Sequence, residues 1–390
     1  MVAASREQKA VLSQLITWLS RPDSPAITLG GYAGTGKTTT VALWRKLLHH
    51  LEPNARVAFC AYTGKASRVL AATLKRQRVD YAKDSISTIH SLIYAPVTND
   101  QGQITGWRLK KDIQAEVILA DEASMVDELI WQDLLSFKRP IIAVGDHGQL
   151  PPVNGRYNLM AKPRLKLETI HRQAQSNPII RLSIMARETG QIPIANYSQT
   201  VRKLNRYDSV TGQEVEEILR QYNQDWLILT GFNHTRVKLN QAIRGYLTFD
   251  GETPRVGERL ICLKNNWQKG IYNGMTGQLH KTIPIFDEEK LHWYEVEITL
   301  DDGLIYAGKI SAHQFNQLTT LAEFDGLKYK ALGDLWDLGY ALTVHKAQGS
   351  QAPKVLLFEE RNQHMSDEDW SRWLYTGVTR AERELTLVGI

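Results

Sequence analysis

Two cysteines in 390 residues, Cys60 and Cys262, are too few and too far apart for a disulfide framework or a four-ligand zinc site. Redox and structural-metal functions are therefore not expected, and the pair reads as small apolar residues in a reducing compartment. No apolar run reaches the roughly eighteen residues that a membrane-spanning helix needs. The amphipathic start, Met1 to Trp18, lacks the charged-then-apolar layout of a secretion signal. A cytoplasmic protein without membrane association is expected. No internal repeat of fixed period and no low-complexity stretch occurs. Neither charge dominates: 47 Lys and Arg face 42 Asp and Glu, a net of +5, which suits a polyanionic partner without demanding one. With 43% apolar residues, the chain is long enough for two or more compact cores.

Apolar positions Val11, Leu12, Leu15, Ile16 and Leu19 recur at helical spacing before Arg21-Pro22 and Ser24-Pro25 stop the helix. Ala26 to Leu29 then reads as a short strand ending in Gly30-Gly31, and Thr38 to His49 as a helix. The unit recurs with strands at Val57 to Ala61, Val117 to Ala120 and Ile141 to Val144. Later candidates are Trp226 to Thr230, Ala341 to Val344, Lys354 to Phe358 and Leu385 to Val388. Short apolar strands between helices predict parallel sheets covered on both faces, arranged as two α/β lobes. Two stretches break the rhythm. Alternation about Asn99-Asp100-Gln101-Gly102, within about 92–111, predicts an exposed hairpin. Glu295 to Leu300 before Asp301-Asp302-Gly303 belongs to a small antiparallel module inserted over about 251–332.

Gly31-Tyr32-Ala33-Gly34-Thr35-Gly36-Lys37-Thr38 fits the eight-residue P-loop pattern, placed after a strand and opening a helix. Its glycines let successive N–H groups face one concavity, and the helix N-terminus adds positive potential. Gly31, Gly34, Gly36, Lys37, Thr38 and Thr39 are therefore expected to hold a nucleoside triphosphate, with Thr38 on magnesium. A ligand-free glycine turn is the alternative. Asp121-Glu122 follows the third strand, so both carboxylates emerge at the carboxyl edge of the sheet, beside the P-loop if the two strands are neighbours. Asp121 then serves magnesium and Glu122 polarises the attacking water. A helix cap with acidic first-turn residues is the other reading of the same pair.

Gly145-Asp146-His147-Gly148-Gln149-Leu150-Pro151-Pro152-Val153 resembles the third motif of superfamily-one helicases of the RecD and Dda type. Gln8 resembles that family's adenine-reading glutamine, Thr63-Gly64-Lys65-Ala66 its first DNA-contacting motif, and Ser87-Thr88-Ile89-His90 the next. Ile170-His171-Arg172-Gln173 resembles its fourth motif, Thr343-Val344-His345-Lys346-Ala347-Gln348-Gly349-Ser350 its fifth, and Tyr375-Thr376-Gly377-Val378-Thr379-Arg380 its sixth. Tyr62 stands where the family usually carries proline, and the hairpin is short for a strand-separating pin.

The resemblance implies two RecA-like lobes, 1–165 and 166–390, the first carrying the pin hairpin and the second an SH3-like module. It implies an ATP- and magnesium-dependent helicase or translocase moving 5′ to 3′ on single-stranded DNA and tailed duplexes, possible also as a subunit of a larger DNA-processing assembly. Gln149 would sense the γ phosphate, and Arg172 and Arg380 would reach it from the second lobe; a surface salt bridge is the alternative for either arginine. Thr63, Lys65, His90, Thr343, His345 and Lys346 would line a groove for phosphates. For His90, packing in the core competes with that role. Trp107, beside Arg108, Lys110 and Lys111, is the one tryptophan expected to stack on a base, whereas Trp18, Trp44 and Trp226 read as core or lobe-interface residues. Three other functions compete: a P-loop kinase or small-molecule NTPase, an ATP-switched nucleic-acid clamp, and an RNA-directed helicase.

Overall fold

In the computed structural model, residues 4–98, 104–152, 157–171, 176–249, 251, 253–266, 269–287, 290–301, 303–324, 327–328 and 331–390 are described. The opening helix, Arg6–Ser20, starts at a capping box: Ser5 Oγ accepts the Gln8 N–H, and Gln8 Oε1 accepts the Ser5 N–H at 3.0 Å. It buries Val11, Leu12, Leu15 and Trp18, the expected face.

The first sheet has six parallel strands in the order Ser85–Thr88, Val57–Ala61, Val117–Asp121, Ile141–Gly145, Ala26–Gly31 and Leu165–Leu167. Alternate residues feed two separate cores. Val57 and Phe59 pack with Trp18, Trp44 and Leu70 on one face, while Ala58 and Cys60 pack with Ile89, Ile118 and Trp131 on the other. This two-sided burial is why the strands read as continuous apolar runs. Leu165–Leu167 pairs with Ala26–Gly31, so the expected lobe boundary at 165 falls inside a strand of the first sheet.

A second six-stranded sheet runs Ala341–Thr343, Trp226–Thr230, Ala352–Phe358, Ala381–Gly389, Val201–Asn205 and Ala195–Asn196, parallel except for its last pair. Ile228 and Leu356 face one core and Leu229 and Leu357 the other. Between these strands lies a five-stranded antiparallel sheet of Arg259–Cys262, Thr276–Asp287, Lys290–Leu300, Ile305–Ser311 and Trp336–Leu338. It extends past the expected limit of 332, because Trp336–Leu338 closes it against Arg259–Cys262. The hairpin is present as Tyr94–Thr98 paired with Ile104–Leu109; its expected turn lies outside the described residues. Among the described residues, no helix is long and apolar enough to cross a membrane.

The antiparallel sheet is rooted in its lobe by a buried ion pair. Arg236, on the Asn233–Tyr246 helix, donates to Asp337 Oδ2 at 2.7 Å, with side-chain exposures of 3% and 1%. Removing one member strands the other charge in a low-dielectric site. Arg236→Ala is expected to cost about 3–5 kcal/mol, read as a lowered urea midpoint. A midpoint equal to wild type would mean that the pair contributes nothing.

Candidate nucleotide site and the cleft between the sheets

The P-loop leaves the Ala26–Gly31 strand and enters the Lys37–Leu51 helix, whose N-cap, Gly36, has φ +80° and no side-chain cap. The first-turn N–H groups are therefore left without a capping side chain, which makes this helix end an anion site. Space is also tight: a Cβ on Gly36 would lie 2.8 Å from Gln8 Nε2 and 3.0 Å from His171 Nε2, and one on Gly31 2.7 Å from Thr35 Oγ1. Gln8 is buried and its Nε2 donates to the Gly36 carbonyl at 3.4 Å, so the predicted adenine reader does sit against the loop. Lys37 Nζ donates to the carbonyls of Gly31 at 2.7 Å and Tyr32 at 3.0 Å, and lies 3.7 Å from Asp146 Oδ2. Thr38 and Thr39, half-buried, form the next two positions of the helix, and Gly34 (φ +81°) supplies the loop's other left-handed turn.

The strand carrying Asp121 is not a neighbour of the P-loop strand. Ile141–Gly145 lies between them and delivers Asp146 to the same edge. The Lys37 charge nonetheless acts on Asp121. Burial, then the neighbouring Glu122 carboxylate, pushes the Asp121 carboxyl up to about 6, against the pull of the Glu122 N–H and Lys37. Two crowded carboxylates are a donor set suited to a hard cation. Among the described residues there is no cluster of three or more His, Cys, Asp or Glu. Glu122 itself sits at φ +54°, a conformation that costs a non-glycine residue free energy and that turns its side chain away from the strand direction. Asp121 Oδ1 accepts the Glu122 N–H at 2.9 Å and fixes this corner. The pair is thus neither free nor a simple α-helix cap.

Asp146 gathers the remaining groups. Its Oδ1 accepts the Gly148 N–H at 3.0 Å, and its Oδ2 accepts Gln149 Nε2 at 3.4 Å and the Tyr375 hydroxyl at 2.6 Å. Gln149 is buried, and its Oε1 takes no hydrogen bond among the described residues. From the second sheet, Arg380 reaches the cleft fully buried, its Nε donating to the Thr376 carbonyl at 2.9 Å and Nη1 to that of Ser350 at 3.2 Å. Burial draws its guanidinium below the usual value, opposed by the charges of Glu122 and Asp146. Asp146, 3.7 Å from Lys37, is thus one of the charges that act on Arg380. Arg172 lies outside the described residues.

Three residues of this cleft were not singled out from the sequence. Tyr375 and His171 fall inside quoted motifs, which was signal enough to suspect them. Arg187 stacks its guanidinium 3.6 Å from the centroid of the Tyr32 ring, on the P-loop, from the Pro178–Thr189 helix. Nothing in a solitary arginine near a helix end marks that approach.

The expected groove residues divide. Thr63 caps the Gly64–Arg76 helix by accepting the Ala66 N–H and reaches the Gly349 carbonyl at 3.5 Å, joining the two lobes. Lys65 occupies the first turn of that helix. Thr343 is buried at the end of its strand, and His345 and Lys346 follow half-buried. Burial lowers the His345 imidazole, and lowers Lys346 to about 8, with Arg236 adding and Asp337 opposing. His90, also expected in the groove, packs among aromatic rings. It is 9% exposed, bonds Tyr272 through Nδ1 at 2.8 Å, lies against the rings of Tyr94 and Tyr272, and is pushed down to about 4 by burial. Trp107, half-buried, packs on Gly270 of the antiparallel module, where an added Cβ would lie 3.0 Å from its ring.

Residues 19–155 match the AAA domain family, and residues 338–388 match the UvrD-like helicase C-terminal domain family. The ATP-dependent RecD2 DNA helicase of Deinococcus radiodurans is 28% identical over 97% of this chain and 48% of its own length. The RecBCD enzyme subunit RecD of Buchnera aphidicola is 24% identical over 93% of this chain and 70% of its own. Along nearly its whole length the chain is similar to RecD-like helicases. It spans about half the length of the Deinococcus relative. A solved structure of Pif1 helicase from Bacteroides with ADP-AlF3 and single-stranded DNA covers 99% of this chain and 92% of its own, at 17% identity and a TM-score of 0.49.

In this RecD-like chain the motifs of the second lobe are bonded to those of the first. Gln348 Nε2 donates to the Leu150 carbonyl at 2.6 Å and to that of Pro151 at 3.3 Å, while the Leu150 N–H donates to Thr376 Oγ1 at 3.0 Å. The third, fifth and sixth motifs thus meet on one short stretch, 146–151. Tyr62, in the place of the family's proline, packs against the first-lobe core instead of standing free.

Proposed function

We propose that the chain is an ATP-driven motor that moves 5′ to 3′ along single-stranded DNA and opens tailed duplexes. The observation that carries this reading is the convergence on one cleft of Lys37, the Asp121-Glu122 pair and Asp146 from the first sheet with Tyr375, Arg380 and Gln348 from the second. A kinase or small-molecule NTPase has no use for a second sheet whose motifs grip the first. In this reading Gln8, Gly31, Gly34, Gly36, Lys37, Thr38 and Thr39 hold ATP. Thr38 and Asp121 would hold magnesium, which would supply Lewis acidity against the phosphate charge. Glu122 orients the attacking water, Gln149 reports on the γ phosphate, and Arg380 and Arg172 approach it from the second lobe. Thr63, Lys65, Thr343, His345 and Lys346 take the DNA backbone, so binding is sequence-tolerant and weakens with salt. We place the boundary between the lobes after Leu167.

Matched duplexes with a single-stranded 5′ or 3′ tail test the proposal. Unwinding from the 5′ tail, dependent on ATP, is the expected result, with streptavidin displaced from the 3′ end of a biotinylated strand. Activity on 3′ tails alone would overturn the polarity. ATPase activity that no nucleic acid stimulates would overturn the motor, and DNA-stimulated turnover without displacement from either end would make the chain a clamp. Preference for an RNA track would redirect the substrate, since phosphate contacts do not exclude a 2′-hydroxyl.

A further inference from the structure

Tyr375 belongs to the second lobe by packing and to the phosphate site by bonding. Its ring is 1% exposed within the core cluster that includes Leu357, Trp373 and Leu387, and it lies on the Asp367–Val378 helix. Its hydroxyl crosses to the first lobe, where it accepts the N–H of Ala33, the third residue of the P-loop, at 2.8 Å and donates to Asp146 Oδ2 at 2.6 Å. We propose that Tyr375 is the positioning residue through which the phosphate loop and the DNA-contacting motifs of the second lobe sense each other's state, a role that rests on the ATP-driven motor reading above.

Three features carry this. The hydroxyl is committed to both partners at once, and its bond to a carboxylate in a buried site is of the strong, short, charge-assisted kind. The ring cannot swing to follow the loop, because close packing holds it in its own lobe, so a shift of Ala33 or Asp146 has to move the helix or break the bonds. The helix, in turn, carries the other connections: Thr376, the next residue, accepts the Leu150 N–H, and Arg380 bonds back to Thr376. Leu150 is also the residue whose carbonyl Gln348 holds, so the path runs from P-loop amide to the fifth motif through three hydrogen bonds and the peptide link between Tyr375 and Thr376. Arg187 on Tyr32 adds a second contact between the P-loop and the same lobe, beside the first.

Tyr375→Phe keeps the ring and removes the hydroxyl. The measurement is the affinity for a fluorescent oligo-dT strand with and without a non-hydrolysable ATP analogue, giving the nucleotide-induced ratio of dissociation constants. Coupling of this kind commonly amounts to about 5–150-fold, and the variant is expected to bring the ratio to within about twofold of unity. The loss in DNA-stimulated ATPase should fall on kcat rather than on KM for ATP. A buried hydroxyl that only satisfied its neighbours would lower the melting temperature and leave the ratio as in wild type, and that result overturns the proposal. Should Tyr375→Phe fail to fold, Asp146→Asn, which removes the charge the hydroxyl is bonded to, is expected to shrink the ratio in the same way, and an unchanged ratio there is equally fatal. A wild-type ratio of one would instead strike the motor reading, before any variant is compared.

Discussion

Glu122→Gln is expected to bind ATP as wild type does and to turn it over about 10²–10⁴-fold more slowly, the range for loss of a positioned general base. The substitution keeps side-chain volume and the left-handed backbone corner, because the Asp121 carboxylate still accepts the residue 122 N–H. What changes is the negative charge facing the cleft. Removing it also relieves Asp121, whose carboxyl is raised in part by that neighbour, so Asp121 ionises more readily in the variant. Single-turnover hydrolysis and nucleotide titration separate the two effects. Turnover at the wild-type rate would move water activation to another group, and loss of nucleotide binding would show that Glu122 holds the substrate rather than the water.

Lys37→Ala is expected to abolish turnover and to weaken nucleotide binding by at least about a hundredfold, roughly 3 kcal/mol. Three oxygens depend on the ammonium, those of Gly31, Tyr32 and Asp146, so it serves as the loop's internal counter-charge as well as the contact for the outer phosphates. The same variant therefore tests two things. Circular dichroism at the wild-type level with no measurable ATPase places the defect in the site. A chain that turns over ATP without Lys37 would remove the P-loop from the chemistry altogether.

Much of this arrangement was legible from local pattern. A strand buried on both faces has to be written in apolar residues, so Val57–Ala61, Val117–Asp121 and Ile141–Gly145 stood out, as did the glycine loop between strand and helix. Trp18 and Trp44 are core, as their apolar periodic surroundings implied. Other strands carry no such mark. Val201–Asn205 holds Arg202 and Lys203, the latter buried only because Glu359 pairs with it at 2.6 Å, and Leu165–Leu167 is three residues long. Strand order is a property of the assembled sheet, which is why the partner of Asp121 across the edge proved to be Asp146 and not the P-loop directly. At the site, residues whose chemistry follows from type and spacing were found, whereas those acting by approach from a distant helix were not: Tyr375 is 342 positions from Ala33. His90 and Trp107 pack against other residues of the fold, a tertiary arrangement that residue type alone does not give.

That packing joins two insertions that are far apart along the chain. A lone two-stranded ribbon is marginal in water, and the hairpin of Tyr94–Thr98 and Ile104–Leu109 meets the antiparallel sheet's loop through Trp107 on Gly270 and, at its base, His90 with Tyr272. Each feature therefore lends the other a dry face. A chimera that transplants either one alone into a related motor would expose an aromatic seam, so grafting has to move both together.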